Sequence, residues 1–173
     1  MAAIKKILDR VYVGSDEGVP EAKKRGMTRI CCCKDGPDGH RALLGYTSLG
    51  APHGSEYYFA TRGNVGAMNI IDNGDETMIA DEMVFAALRF AIREYRMGRT
   101  LFFHCNHGFE RGPIMALMFL RAIGEISPTL IGAKRVFGQL YPDFTNKREG
   151  LILKLKKLWP VLPTLGNQNA IQK

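Results

Sequence analysis

Leu101-Phe102-Phe103-His104-Cys105-Asn106-His107-Gly108-Phe109-Glu110-Arg111-Gly112-Pro113-Ile114-Met115-Ala116-Leu117-Met118-Phe119-Leu120 contains one abrupt change of pattern. Leu101 to His104 has the short apolar run of a buried central strand. From Pro113 the apolar residues continue as in a buried helix, and proline suits a first helical turn. A loop joining a strand end to a helix N-terminus has unpaired backbone N–H groups and the positive end of the helix dipole, so it binds anions. Asn106, His107, Gly108, Phe109, Glu110 and Arg111 are enough to curl into a cradle with its amides turned inward, Gly108 supplying a positive φ. Cys105 then lies at the base and Arg111 closes the cradle with a planar fork that matches phosphate. Inward amides and Arg111 favour the thiolate, and His104 can hold the loop by hydrogen bonding. The arrangement is one for thiolate attack on phosphorus. A lone cysteine is more often a small buried hydrophobe, but this spacing around it is not that of simple packing.

Strands and helices alternate on either side of this junction. Ile4 to Leu8 and Val11 to Val13 read as strands around an Asp9-Arg10 turn. Ser15 is placed to cap a helix running to about Arg25 and ended by Gly26, and Met27 to Cys33 reads as a strand. Residues 34–55, rich in glycine with two prolines, read as a long surface loop. Glu56 to Thr61 and Ala67 to Ile71 read as strands, and Ala80 to Met97 as an amphipathic helix closed by Gly98. Helices are expected at 113–123, 128–139 and 146–158. In the last of these Leu151, Leu155, Leu158 and Trp159 face the core and Lys154, Lys156 and Lys157 face solvent. The fold class is therefore α/β, a central mixed sheet flanked by helices. Residues 1–165 form one catalytic domain in this reading, and 166–173 a polar tail.

Composition sets wider bounds. A chain of 173 residues buries about two-thirds of its unfolded surface as one domain. With 46% hydrophobic and 24% charged residues it is ordinarily globular. No apolar run matches a membrane span and the first residues lack a signal core, so a cytoplasmic setting without membrane partners is expected, which suits a reactive thiol. Cys31, Cys32 and Cys33 are consecutive on a strand and alternate between its faces, so they cannot converge on zinc. No metal or other cofactor is expected. They read as small buried residues. A net charge of +7 favours phosphorylated and polyanionic partners in general.

The run His104-Cys105-x-x-Gly108-x-x-Arg111 resembles the signature of the cysteine-dependent phosphatases, the dual-specificity branch in particular. Arg10-Val11-Tyr12-Val13-Gly14-Ser15 is similar to that family's opening strand, and Lys24-Arg25-Gly26-Met27-Thr28-Arg29-Ile30 to its next helix-to-strand step. Leu140-Tyr141-Pro142-Asp143-Phe144 is most similar to phage and bacterial members. The resemblance implies a dual-specificity phosphatase-like fold and hydrolysis of phosphotyrosine, and of phosphoserine or phosphothreonine, in proteins. A phosphocysteine forms on Cys105 in that mechanism. It also implies that a cysteine near Cys105 can trap it as a reversible disulfide. The family's general-acid aspartate stands on a strand-end loop about thirty residues before the cysteine. Asp72 lies 33 residues before Cys105 and Asp75 lies 30 before it. Asp72 is preferred because it comes directly off the strand, whereas Asp75 is better placed as a cap or turn residue.

Three positions complicate the match. Relatives carry Ser or Thr after the arginine, and that hydroxyl helps the cysteine sulfur to leave. Gly112 lacks it, which implies slow breakdown of the phosphoenzyme. Glu110 either stands beside the cradle and disfavours an anion or turns away to bind a neighbouring loop. His107-Gly108-Phe109 also resembles the loop of cysteine-type RNA 5′-triphosphatases, so RNA 5′ phosphates form an alternative substrate class. A third alternative is a phosphate-binding module with weak catalysis. Tyr46, Tyr57 and Tyr58 either line the entrance to the site or simply pack.

Overall fold

A computed structural model describes residues 3–71 and 75–168. Six strands form one sheet: β1 (Ile4–Leu8), β2 (Val11–Ser15), β3 (Thr28–Cys31), β4 (Phe59–Arg62), β5 (Val65–Met68) and β6 (Leu101–Cys105), in the spatial order β1-β2-β6-β3-β5-β4. The inner four run parallel and the outer strand on each side is antiparallel, so the sheet is mixed, as the alternating pattern implies. The helices are α1 (Val19–Lys24), α2 (His40–Leu44), α3 (Asp81–Arg96), α4 (Arg111–Ala122), α5 (Leu130–Leu140), α6 (Glu149–Leu158) and α7 (Leu162–Asn167).

Every residue of β6 is buried, as expected of a central parallel strand covered on both faces. In α4 every residue but Arg121 is buried, which accounts for its lack of a polar face. Phe103 packs on Phe119 with ring centroids 5.4 Å apart, tying β6 to α4. Parallel register places Ser15 opposite Cys105 and Cys31 opposite His104. The loops leaving β2, β3 and β6 therefore gather at one edge, the carboxyl ends of the parallel strands.

Several expectations are corrected. Ser15 makes no side-chain cap. The chain forms a short 3₁₀ turn at Asp16–Gly18 before α1, and the buried Ser15 Oγ has no hydrogen-bond partner among the described residues. The 34–55 segment is not all surface loop. It contains α2, whose buried His40 bonds Tyr46 Oη at 3.2 Å and the Glu56 carbonyl at 2.7 Å. Such a five-residue helix is held by these tertiary contacts and leaves no periodic signal. The hairpin β4–β5 starts and ends a few residues away from the expected strands, turning at Gly63 with φ +57°. At the other end, α7 extends into the expected polar tail. Gly166 is buried against the Ala122 carbonyl, so closely that a Cβ would lie 2.0 Å from that oxygen.

Lys154 is also corrected. It is buried, and its Nζ donates to Asp81 Oδ1 at 2.6 Å and lies 3.3 Å from Glu76 Oε1, while Lys157 Nζ pairs with Asp81 Oδ2 at 3.0 Å. These ion pairs fasten α6 to the start of α3. The Lys154 hydrogen bond holds the Asp81 carboxyl below the usual carboxylate range. Leu151, Leu155, Leu158 and Trp159 are buried as expected. Among the described residues no helix is long and apolar enough to cross a membrane.

Candidate active site

Cys105 ends β6 and is 3% exposed at the bottom of a cup walled by His107, Phe109, Glu110, Arg111 and Arg148. The loop beyond it turns at Gly108, where φ is +74°. A Cβ there would also lie 2.9 Å from the Gly14 carbonyl carbon and 3.0 Å from the Ser15 nitrogen. Glycine is required twice over, by conformation and by the close approach of β2. The Gly108 carbonyl accepts a hydrogen bond from the buried Tyr141 hydroxyl at 3.0 Å. Burial pushes that phenol up, so it remains a donor. The Thr145 N–H, donating to the Phe109 carbonyl at 3.2 Å, ties the loop to the segment after α5.

The backbone N–H groups of Gly112 and Gly108 both donate to the Cys105 sulfur. Gly112 lacks the relatives' hydroxyl, but it packs α4 tightly on β6. A Cβ would fall 2.9 Å from the His104 carbonyl carbon and 3.1 Å from the Cys105 nitrogen. Adding a side chain at 112 would push the helix off the strand, so the missing hydroxyl cannot simply be restored.

The thiol itself differs from the expectation. Burial is the strongest influence and pushes Cys105 up. The Gly112 N–H, Arg111 and the Gly108 N–H oppose it, and Cys33 adds to the upward push, so the net direction is upward. Alkylation by iodoacetate is therefore expected to be slow at pH 6 and to accelerate as pH rises through the thiol's titration. A rate already at its plateau at pH 6 would show that the amides, Arg111 and the α4 dipole prevail over burial. All four cysteines are free and buried. Cys31 is pushed well up, first by its contact with Cys33 and then by burial, and Cys32 by burial first with a contribution from Cys105.

Arg111 is 6% exposed, and its Nη2 donates to Asn106 Oδ1 at 2.9 Å. His104 is fully buried and stacks on Phe102 at 5.1 Å. Its Nδ1 lies 2.9 Å from Asp16 Oδ1, and its Nε2 lies 3.8 Å from Asp38 Oδ2. Asp38 in turn accepts from Arg29 Nε at 2.6 Å. Glu110 takes the second of its two orientations: it still borders the cup, but its carboxylate binds a neighbouring loop. Its Oε1 accepts from Thr145 Oγ1 at 3.1 Å and from the Lys147 and Arg148 N–H groups at 2.8 and 2.9 Å. Its Oε2 accepts from Arg148 Nε at 2.8 Å. Glu110 thus holds Arg148 at the cup wall. His107 is exposed at the rim, its ring facing Phe109 at 6.4 Å.

Asp72, the preferred general acid, lies outside the described residues. Asp75 has the capping geometry. Its Oδ1 accepts from Thr77 N–H at 2.9 Å and Thr77 Oγ1 at 2.7 Å, and these bonds hold it below the usual carboxylate range. A carboxyl so stabilised as the anion is a poor proton donor at neutral pH. Tyr46 packs on His40. Tyr57 and Tyr58 line a cavity with Lys34, Asn69, Ile71 and Met78, and Lys34 and Ile71 also border the space beside Arg111.

Four contributors escaped the sequence reading: Asp16, Asp38, Tyr141 and Arg148. Only Asp16 had a usable signal, since it follows a strand directly, the same feature that singled out Asp72. Among the described residues no cluster of metal-ligating side chains occurs.

No family model matches the chain, and no curated protein matches it either. Solved structures do. A leucine rich repeat and phosphatase domain containing protein from Entamoeba histolytica is 16% identical, with a TM-score of 0.63 and 94% of each chain covered. Human DUSP28 is 13% identical, with a TM-score of 0.62 and coverage of 94% of this chain and 97% of that one. PTPMT1, solved in complex with PI(5)P, is 11% identical, with a TM-score of 0.60 and coverage of 94% and 98%. The chain therefore has the fold of the dual-specificity phosphatases.

Proposed function

We propose that this chain, built on the dual-specificity phosphatase fold, hydrolyses phosphomonoesters through a phosphocysteine on Cys105. Phosphotyrosine and phosphoserine or phosphothreonine of proteins are the favoured substrates. The observation that carries this reading is the cup itself, with a buried sulfur under two backbone N–H donors and Arg111 at the N-terminus of α4. Such a cup matches the charge and shape of a phosphoryl group. The Cys105 thiolate attacks phosphorus in line as the ester oxygen leaves, and the loop amides and Arg111 hold the remaining oxygens. Asp72 gives its proton to the departing oxygen. It then takes one from the water that attacks phosphorus and releases the sulfur.

Two observations favour a second reading, a phosphate-binding module with weak catalysis: the upward push on the Cys105 thiol and glycine at 112. Phosphate release from a panel of phosphopeptides, phosphoinositides and 5′-triphosphorylated RNA, read in rapid-mixing mode, separates them. The phosphatase reading expects phosphate release from phosphopeptides, with the dephosphorylated peptide appearing in an initial burst ahead of phosphate, because the Gly112 site breaks down its phosphoenzyme slowly. Phosphate binding without release from any substrate would leave only the module.

A further inference from the structure

We propose that Asp16 is a positioning residue for the phosphate-binding arginine, acting through the side-chain amide of Asn106; the inference rests on the phosphatase reading of the same loop. Asp16 belongs to the neighbouring strand's exit, one residue beyond the Ser15 that pairs with Cys105. Its backbone N–H donates to the Asn106 carbonyl at 3.4 Å, and its carboxylate is shared between two donors of the loop. Oδ1 lies 2.9 Å from His104 Nδ1, and Oδ2 accepts from Asn106 Nδ2 at 2.9 Å.

The consequence lies in the polarity of Asn106. An asparagine side chain has one donor end and one acceptor end. Here the donor end faces two acceptors, Asp16 Oδ2 and the Asp35 carbonyl at 3.2 Å. The acceptor end is thereby turned to Arg111, whose Nη2 it receives at 2.9 Å. A carboxylate at 16 thus fixes the guanidinium two bonds away and before any substrate arrives, which removes an ordering cost from binding. The Lys34–Gly39 loop covers this chain of bonds. A Cβ at Gly36 would lie 2.9 Å from Asp16 Oδ2 and 3.2 Å from Asn106 Nδ2. Burial acts to raise the Asp16 carboxyl, but its hydrogen bonds to His104 and Asn106 outweigh burial and hold it below the usual range. It is therefore an obligate acceptor at neutral pH.

Asp16→Asn keeps the shape and inverts one end. With the new amide oxygen kept on His104, the new nitrogen opposes Asn106 Nδ2. Asn106 then relieves the clash by turning its own amide, which presents a donor to Arg111. Vanadate binding measured by calorimetry is the readout, with thermal unfolding as the check on folding. Asp16→Asn and Asn106→Ala are each expected to weaken vanadate binding about tenfold. In the Asn106→Ala background, adding Asp16→Asn is expected to change affinity less than twofold. Affinity within twofold of the unaltered chain in either single variant would overturn the proposal. So would an undiminished loss on adding Asp16→Asn to Asn106→Ala, because the action would then bypass Asn106. If Asp16→Asn does not fold, Asn106→Ala decides alone: a tenfold loss supports the proposal and an unchanged affinity overturns it. An unaltered chain that binds no vanadate would overturn the phosphatase reading and this inference with it.

Discussion

Cys105→Ser is expected to lower phosphate release from a phosphotyrosine peptide by at least about a thousandfold while leaving inorganic phosphate binding within a few-fold of the unaltered chain. The two halves of this expectation have separate causes. Serine differs from cysteine by one buried atom, so the Gly108 and Gly112 amides and Arg111 keep their places around the cup. What disappears is the nucleophile. Even with burial pushing it up, a thiol gives up its proton far more readily than a serine hydroxyl without an adjacent base. The neighbouring His104 is engaged elsewhere: its Nδ1 lies against Asp16, and its Nε2 faces Asp38. Steady-state release and phosphate calorimetry on the same preparation check both halves. Retained turnover would remove Cys105 as the nucleophile. Lost phosphate binding would mean that the sulfur holds the cup together rather than reacting in it.

How much of this site could be read in advance depended on how local its determinants are. The strand–loop–helix junction was legible because Leu101 to Leu120 carries its own punctuation: an apolar run, a glycine needed for φ +74°, and a helix buried on all sides. Cys105 and Arg111 follow from spacing along the chain. Asp16, 89 residues before Cys105 in the sequence, reaches the loop only because β2 and β6 pair in parallel with Ser15 beside Cys105. No local pattern encodes that register. Arg148 is remote in the same way, and its place at the cup depends on Glu110, whose orientation the sequence left open. Lys154 shows the opposite error. Its helical spacing put it on a solvated face, but Asp81 and Glu76 came from elsewhere in the chain to make burial of the charge affordable. The short helix α2 and the end of α7 were missed because tertiary contacts, rather than propensity, stabilise them.

Asp72→Ala separates the substrate classes, because the need for a general acid depends on the leaving group. A serine or tyrosine oxygen leaves as a strongly basic anion and must be protonated, and a positioned acid contributes on the order of 10²–10⁴-fold. A phosphoanhydride leaves as an already stabilised phosphate and gains little. Asp72→Ala is therefore expected to lower release from phosphopeptides by about 10²-fold or more and to leave any release from triphosphorylated RNA within a few-fold. The matched control is Asp75→Ala. Asp75 caps the turn at Glu76–Met78 and is held as an anion by Thr77, so its loss should cost a few-fold at most. If instead Asp75→Ala gives the larger fall, the acid is Asp75 and the Thr77 bonds break when substrate binds. If neither substitution slows phosphopeptide hydrolysis, the acid lies elsewhere. A chain that ignores Asp72→Ala and is most active on RNA ends would turn the reading toward RNA, with His107 and Arg148 on the cup wall meeting the phosphates that follow the scissile one.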